Sequence, residues 1–520
     1  MADVTTPQRE RAHRPARDRG PRVLTTIAIA IVVTAVVVVA VLFLEPLIVG
    51  GVLLVVCGLY VFRRAVFNWT TMLFVLTAVI LFIPIRRYAL PIPVGFALEP
   101  YRVTIAALLV ALGVHLFVRG RKDWKPVVWG WPIAIFLWTA FASLMVNAVA
   151  ITETGLVTAG FANIFQLAFL LSTIVIFRQM LSSEAITTIL LNVIVFGGAF
   201  IGISAFLERV THRNIFLMLN QFLPLEILRD DAESLRAGGA RAFGSAQHPI
   251  ALAVLFCMII PLAIYLMKFS PWPKFQFTRI LVYSAAIGLM MIGLLSAVSR
   301  TGIVALGVMF LFILLVRPKL AGLLAVVGLP VVIVVGLIFP ALFESTVLSL
   351  FDLQGLVASQ TTSVGLAGQG RLADLPEAFA QFGQNPLAGT GLGSRIVVGP
   401  EANSQILDNQ WLGSLLETGI IGVLGLIALL VWPIVVMVRF SFRRGVPEQR
   451  AMLVLAVTTS AIGYATSMFF YDAFAFMQTL LLLSLLLAIG AWAMTFQSES
   501  WGGVYGLAKP RARERALVRS

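Results

Sequence analysis

From residue 23 to residue 496 the chain is a succession of apolar runs, most of them close to a helix span in length, separated by short polar breaks. A helix needs about 20 apolar residues to cross the hydrocarbon core of a bilayer. Inside lipid only helices and closed barrels satisfy every backbone N–H and C=O, and runs of this length select helices. Fourteen runs qualify: 23–43, 46–62, 66–84, 102–118, 127–146, 159–177, 185–206, 249–267, 280–298, 302–316, 320–339, 411–438, 451–470 and 473–496. Runs 46–62 and 302–316 are short. The expected fold is therefore an all-α polytopic membrane protein of about 12–14 transmembrane helices, with one large outer loop.

Composition removes the main rival class. Of 520 residues, 59% are hydrophobic and 12% charged, against roughly 25% charged in a soluble domain. A net charge of +14 in a soluble chain would suggest nucleic acid. Here the basic residues sit in the tails and short breaks, which points to topology and anionic lipid instead. Cys57 and Cys257 lie inside apolar runs, without zinc or disulfide-framework spacing, and read as packing residues.

Residues 1–22 are basic and proline-rich and read as a disordered cytoplasmic tail. The run after them lacks a small-residue cleavage site, so it reads as a first membrane helix rather than a signal peptide. If every run spans, then Arg63, Arg64, residues 119–122, Arg178, residues 268–279, Arg317, Lys319, residues 439–444 and the basic end of the 497–520 tail share one side. Positive-inside bias makes that side cytoplasmic, with both termini inside.

The remaining segments are helices 23–206, an outer loop 207–248, helices 249–340, a large outer loop 341–410 and helices 411–496. A shorter outer loop, 85–101, carries Arg86 and Arg87. Outer loops are normally poor in positive charge, so their arginines invite a ligand, although long loops are largely exempt from that rule. The membrane cores carry few ionisable residues, His115 and Glu417 lying near run ends. That lowers the case for an ion-coupled transporter, which needs such groups at depth. A phosphate-binding loop for ATP hydrolysis is absent as well.

Several outer residues could carry chemistry. Arg371 follows Gly368-Gln-Gly370, and its planar fork matches phosphate oxygens, though Asp374 or Glu377 could pair with it locally. Arg300, in Ser299-Arg300-Thr301-Gly302, interrupts two apolar runs and could hold an anion or snorkel to lipid phosphate. Arg241, just before run 249–267, is a third cation candidate. Asp408, followed by Asn409, could act as a general base or cap the helix that starts beside it. His248 stands at a helix entrance, as a base or an interfacial residue. The glycine-rich segment 389–393 has no strand before it and reads as a flexible turn.

Taken in order, these pieces resemble the O-antigen ligase and polymerase superfamily, bacterial integral-membrane glycosyltransferases. Gly244-Ser-Ala-Gln-His-Pro-Ile-Ala-Leu-Ala253 resembles its loop-to-helix entry, and Ser299-Arg300-Thr-Gly302 its Ser-Arg-small-Gly turn. Gly370-Arg371, then Asn385-Pro-Leu-Ala-Gly-Thr-Gly-Leu-Gly393, resembles its arginine and glycine block. Asp408-Asn-Gln-Trp-Leu412, then Glu417-Thr-Gly-Ile-Ile-Gly422, resembles its His/Asp-Asn-x-x-Leu and Glu-x-Gly block. Ligases of the family usually have histidine where this chain has Asp408, so the resemblance leans toward polymerisation of an exopolysaccharide, capsule or O-antigen repeat.

The resemblance implies glycosyl transfer from a lipid-linked oligosaccharide on a polyprenyl diphosphate, such as undecaprenyl diphosphate, to a glycan acceptor, at the outer face of the cytoplasmic membrane. Arg300, Arg371 and Arg241 would hold the diphosphate. Asp408 and Arg371 would be the catalytic pair, with His248, Asn409 and Glu417 in secondary roles. It implies no cofactor and no metal, in keeping with the lack of a D-x-D motif in the outer loops. Partners would be the bilayer, the donor and the acceptor, with a flippase and a chain-length regulator as further candidates and no nucleic acid. A transporter or flippase of a lipid-linked glycan is the alternative.

Overall fold

The computed structural model describes residues 68–92, 97–120, 124–228, 235–236, 239–352, 354–355, 357, 375–395 and 408–496. The chain divides into two units, Met1–Met72 and Leu73–Ser520, and the helical bundle belongs to the second. The runs 23–43 and 46–62, both tails and Arg371 lie outside the described residues.

Each of the twelve runs from 66–84 onward becomes a helix. They are α1 (Trp69–Phe82), α2 (Pro100–Arg119), α3 (Gly130–Val146), then, after the short α4 (Ala148–Glu153), α5 (Val157–Met180) and α6 (Glu184–Thr211). The next are α7 (Pro249–Phe269), α8 (Gln276–Ser296), α9 (Arg300–Val316), α10 (Pro318–Ile338) and, after it, the short α11 (Pro340–Thr346). An amphipathic α12 (Leu375–Gln384) lies in the large loop, followed by α13 (Gln410–Ser441), α14 (Glu448–Ser467) and α15 (Met477–Thr495). By length and composition eight of these could cross a membrane, and α1, α3 and α9 are apolar but shorter. The protein is an all-α polytopic membrane protein.

Starts and stops follow local chemistry. Proline occupies the first turn of α2, α7 and α11, where its missing N–H leaves no bond unmade. Ser183 Oγ caps α6 by accepting from Ile186 N (3.3 Å), as short polar side chains do. Strand content among the described residues is two short ladders. β1 (Tyr88–Ala89) pairs antiparallel with β2 (Glu226–Ile227), and β3 (Leu235–Arg236) with β4 (Gly239–Ala240). The first ladder ties the loop after α1 to the loop after α6.

The core sits on α7 and α15, which are buried along nearly their whole lengths, whereas α10 is almost wholly exposed. α7 packs against α6, α8, α9, α14 and α15. Where α6 crosses α8, Gly202 and Gly293 meet backbone to backbone: a Cβ on Gly293 would fall 2.6 Å from Gly202 Cα. Small residues let helices approach this closely where packing rather than water drives association.

Hydrogen bonds sort the helix termini into two ends. At one end Arg87 Nη2 donates to Gln247 O (3.4 Å), Gln478 Nε2 to Ile80 O (2.9 Å), and Arg300 Nε to Ser349 Oγ (3.0 Å). At the other end Lys125 Nζ donates to Leu181 O (2.8 Å), Arg178 Nη2 to Thr495 Oγ1 (2.8 Å), and Gln449 Nε2 to Glu184 Oε1 (2.8 Å). Lys268 pairs with Glu448, and Arg317 Nη2 reaches Ser441 O (3.3 Å), at that same end. Long helices therefore alternate in direction, as consecutive spans must. Among the described residues, the basic breaks gather at the second end and the candidate functional residues at the first.

Candidate functional site

The site is built on a break in α13. Gly419 adopts φ 64° and ψ −166° inside that helix, a conformation open to glycine and strained for other residues. The break frees backbone groups on both sides, and inside a membrane protein such groups need partners. The turn 385–391 supplies them. Ile420 N donates to Pro386 O (3.0 Å) and Ile421 N to Leu387 O (3.2 Å). In the other direction Thr390 N donates to Leu416 O (3.0 Å) and Gly391 N to Glu417 O (2.7 Å). From α3, Ser143 Oγ bonds Ala388 O (2.6 Å) and Glu417 O (3.1 Å).

The glycine-rich segment is thus a docked clasp, which corrects its reading as a flexible turn. Gly389 (φ +65°) lies so close to α13 that a Cβ there would stand 2.5 Å from Glu417 C. Glu417 adds a side-chain hold: its carboxylate takes the backbone N–H of Gly393 and Arg395. Arg395 in turn donates through Nη1 to Gln381 Oε1 of α12 (2.8 Å). The geometry of Glu417 is that of a clasp residue, joining the glycine turn to the broken helix.

Asp408 stands exposed at the entrance of α13. The cap of that helix is Asn409, whose Oδ1 accepts from Leu412 N (3.1 Å). The next residue, Gln410, fixes where Asp408 sits. Its N–H bonds Met468 O (2.8 Å) and Tyr471 O (3.2 Å), and its Oε1 accepts from Phe474 N (2.9 Å). Trp411 stacks on Phe469 with centroids 5.5 Å apart and donates through Nε1 to Ala465 O (3.2 Å). The start of α13 is thereby laid along the turn between α14 and α15.

That turn carries Asp472, which lies within electrostatic reach of Asp408, Glu417 and Arg86. Burial pushes the Asp472 carboxyl above its ordinary value, and Asp408 adds to the rise. The backbone N–H groups of Ala475 and Phe474 and the Arg86 charge act the other way. Arg86 reaches this neighbourhood in a left-handed conformation (φ 63°), its backbone N donating to Glu99 Oε2 (2.6 Å). Glu99 also pairs with Arg102 (3.1 Å). Among the described residues no His, Cys, Asp or Glu side chains gather as a metal-binding group.

His248 caps α7, its Nδ1 accepting from Ile250 N (3.2 Å). Its ring lies 5.5 Å from that of Phe476, which in turn lies 5.5 Å from Tyr471. His248 therefore belongs to the same end of the bundle as Asp472. Arg241 and Arg300 share a second location, the turn between α8 and α9. Arg241 Nε donates to Ala297 O (3.0 Å), and Ala242 N to Ser296 O (3.2 Å). Arg300 is the first residue of α9, half-buried, and its hydrogen bond goes to Ser349. Glu208 of α6 holds this segment by accepting from Gly244 N (2.8 Å).

Sequence reasoning missed Asp472, Arg395 and the placement of Arg86. Asp472 stood in the two-residue gap between runs 451–470 and 473–496. An acid in so short an outer turn was the available signal. Arg395 had a signal too, two residues beyond the last glycine of the clasp.

No curated protein matches the chain. The family model described as O-antigen ligase matches residues 285–427, a segment that begins within α8 and runs through Arg300, Arg371, the glycine clasp, Asp408 and the break in α13. Over that segment the chain is similar to the O-antigen ligase family.

Proposed function

We propose that the protein is a metal-independent membrane glycosyltransferase that polymerises or ligates glycan repeats from a polyprenyl-diphosphate donor. It works on the outer face of the bacterial cytoplasmic membrane, with both termini cytoplasmic. The observation that carries this reading is the O-antigen ligase match over residues 285–427, which contains both Arg300 and Asp408. Their location at the same end of the bundle supports it.

In this reading Arg300, Arg241 and Arg371 take the donor diphosphate, and the lipid tail runs between helices into the bilayer. Asp408 takes the proton of the acceptor hydroxyl as its oxygen bonds to the anomeric carbon. The bond to the diphosphate breaks with its electron pair going to the leaving group. Fixed cations beside a leaving diphosphate stabilise charge that develops in the transition state, where electrostatic catalysis is strongest. That the helix cap is Asn409 rather than Asp408 is in keeping with this role. Arg371→Ala tests the clamp: in cells, polymer should disappear while the protein inserts normally, and unchanged polymer length and yield would contradict it.

A transporter of the same lipid-linked glycan is the second reading. The break in α13 favours it, because transporters place ligands at interrupted helices. The backbone freed by that break is, however, bonded to the glycine clasp. Purified protein given the donor distinguishes the two, since only a transferase yields longer glycan and free lipid diphosphate.

A further inference from the structure

The chain that leaves α6 does not run out into water; it folds back along the helix. α6 has 28 residues, about 42 Å at 1.5 Å per residue, against a hydrocarbon core of about 30 Å. It starts at Glu184, which Gln449 holds at the end where the basic breaks gather. About 20 residues carry it through the core, so the boundary at the far end falls near Ser204. α1 marks the same level: its last residue, Phe82, packs edge-on against Phe200, with centroids 6.1 Å apart. Beyond α6 the chain turns at His212, in a left-handed conformation (φ 57°). A tight 3-10 helix, Ile215–Gln221, follows. Asn214 caps it, its Oδ1 accepting from Phe216 N (2.8 Å). The Phe216 ring then stands 6.1 Å from that of Phe200, a residue about 16 Å back along α6 from its end at Thr211. The Tyr88 hydroxyl fixes this return by donating to Phe216 O (2.9 Å).

The returning segment is apolar on its outside. Ile215, Met218, Phe222, Leu223, Ile227 and Leu228 are all exposed, Phe222 at 81%. Glu226 is the single charge from 215 to 228. His212 and Arg213 stand exposed just before the segment, and Arg229 follows it in sequence. Exposed apolar residues scattered singly mean little, whereas a dense group marks an interaction surface. An apolar centre with basic flanks fits the membrane interface, where arginine stems lie along lipid and their heads reach phosphate. The group also continues the lipid-facing side of α6, on which Phe200 and Leu207 are exposed.

We infer that residues 215–228 form an interfacial anchor, a strap whose apolar side chains enter the boundary between headgroups and acyl chains at the candidate-site end of the bundle. The occupant of its outer face is lipid rather than a second protein. The β1–β2 ladder and the bond from Leu228 N to Arg87 O (2.8 Å) tie the strap to the loop after α1. Immersion of the strap sets the level at which that loop meets the headgroups, and it does not depend on glycosyl transfer.

A nitroxide label at Phe222→Cys reads the depth directly, in proteoliposomes of phosphatidylethanolamine and phosphatidylglycerol. Cys57→Ala clears the background, since Cys257 is fully buried. Oxygen concentrates in the bilayer and a nickel chelate in water, so the ratio of their relaxation effects ranks labels by depth. Leu329→Cys, on exposed α10, is the lipid reference, and Arg443→Cys, in the break after α13, is the water reference. At Phe222→Cys oxygen should act more strongly than the chelate, as it does at Leu329→Cys. A chelate effect equal to that at Arg443→Cys would put the strap in water and overturn the inference. Weak effects from both reagents would mean that protein covers the strap, and would overturn it as well. Ile227→Cys, exposed on the same strap, gives the same reading if the first variant fails to fold.

Discussion

Asn409 Oδ1 accepts the N–H of Leu412 at 3.1 Å, so the first turn of α13 is capped without Asp408. Asp408, next to that cap, is exposed, and the cap bond is made by Asn409. This separates two roles that one acidic residue at a helix start can combine.

The separation predicts opposite phenotypes for neighbouring substitutions. Asp408→Asn should leave the melting temperature unchanged and lower turnover by about 100-fold or more, the usual contribution of a positioned base. Asn409→Ala should lower stability by about 1 kcal/mol through loss of the cap. Thermal melting and glycan lengthening, measured on both variants, check the pair.

The clasp predicts a graded series. At Gly419 an added Cβ would stand 2.3 Å from Leu387 O, on a backbone at φ +64°. Gly419→Ala should therefore destabilise by about 2 kcal/mol or more, because strain and a backbone clash coincide. Ser143→Ala removes the bonds to Ala388 O and Glu417 O and should cost about 1 kcal/mol. Melting in detergent ranks the two, and the reverse order would mean that the clasp is not rigid.

Arg300 should not be replaceable by lysine. Its Nε is held by Ser349 Oγ at 3.0 Å, which orients the planar fork. Lysine carries the charge but not the fork. In the proposed site Arg300→Lys should lose most of the transfer activity, close to the loss in Arg300→Ala, and Ser349→Ala should weaken it less. Activity at wild-type level in the lysine variant would reduce the site to a bare positive charge.

At the opposite end, Lys125 covers the last turn of α5 by donating through Nζ to Gln179 O (2.6 Å) and Leu181 O (2.8 Å). Burial, with Arg178 nearby, lowers its ammonium from 10.5 to about 8. The unfolded chain then binds the extra proton between those values, so stability rises with pH across that window. Relative to wild type, Lys125→Gln should flatten the melting temperature between about pH 8 and pH 10. An unchanged slope would show that Lys125 titrates normally.

The helices were readable because twenty apolar residues leave a chain in lipid few alternatives, and their starts carry prolines and short polar caps. Arg300 was placed at an interhelical turn for the same reason: a charge between two apolar runs has nowhere else to go. The glycine segment was misread because its partners lie some thirty residues on, in carbonyls freed by Gly419, and glycine spacing does not tell which backbone it will dock on. Asp472 escaped because its one local signal, an acid in a two-residue gap between apolar runs, does not say which residues it approaches. Its approach to Asp408 is made by Gln410 pairing with Tyr471, a tertiary contact with no local pattern. Run 473–496 begins as a helix only at Met477, since the Asp472 turn takes up the residues before it.

The most direct measurement is made on purified wild-type protein and Asp408→Asn, each given a polyprenyl-diphosphate-linked oligosaccharide and an acceptor glycan. Wild type should yield longer glycan together with an equal amount of free polyprenyl diphosphate, and the folded variant should yield neither. Equal product from both would remove Asp408 from the chemistry, and no product from wild type would contradict the transferase itself.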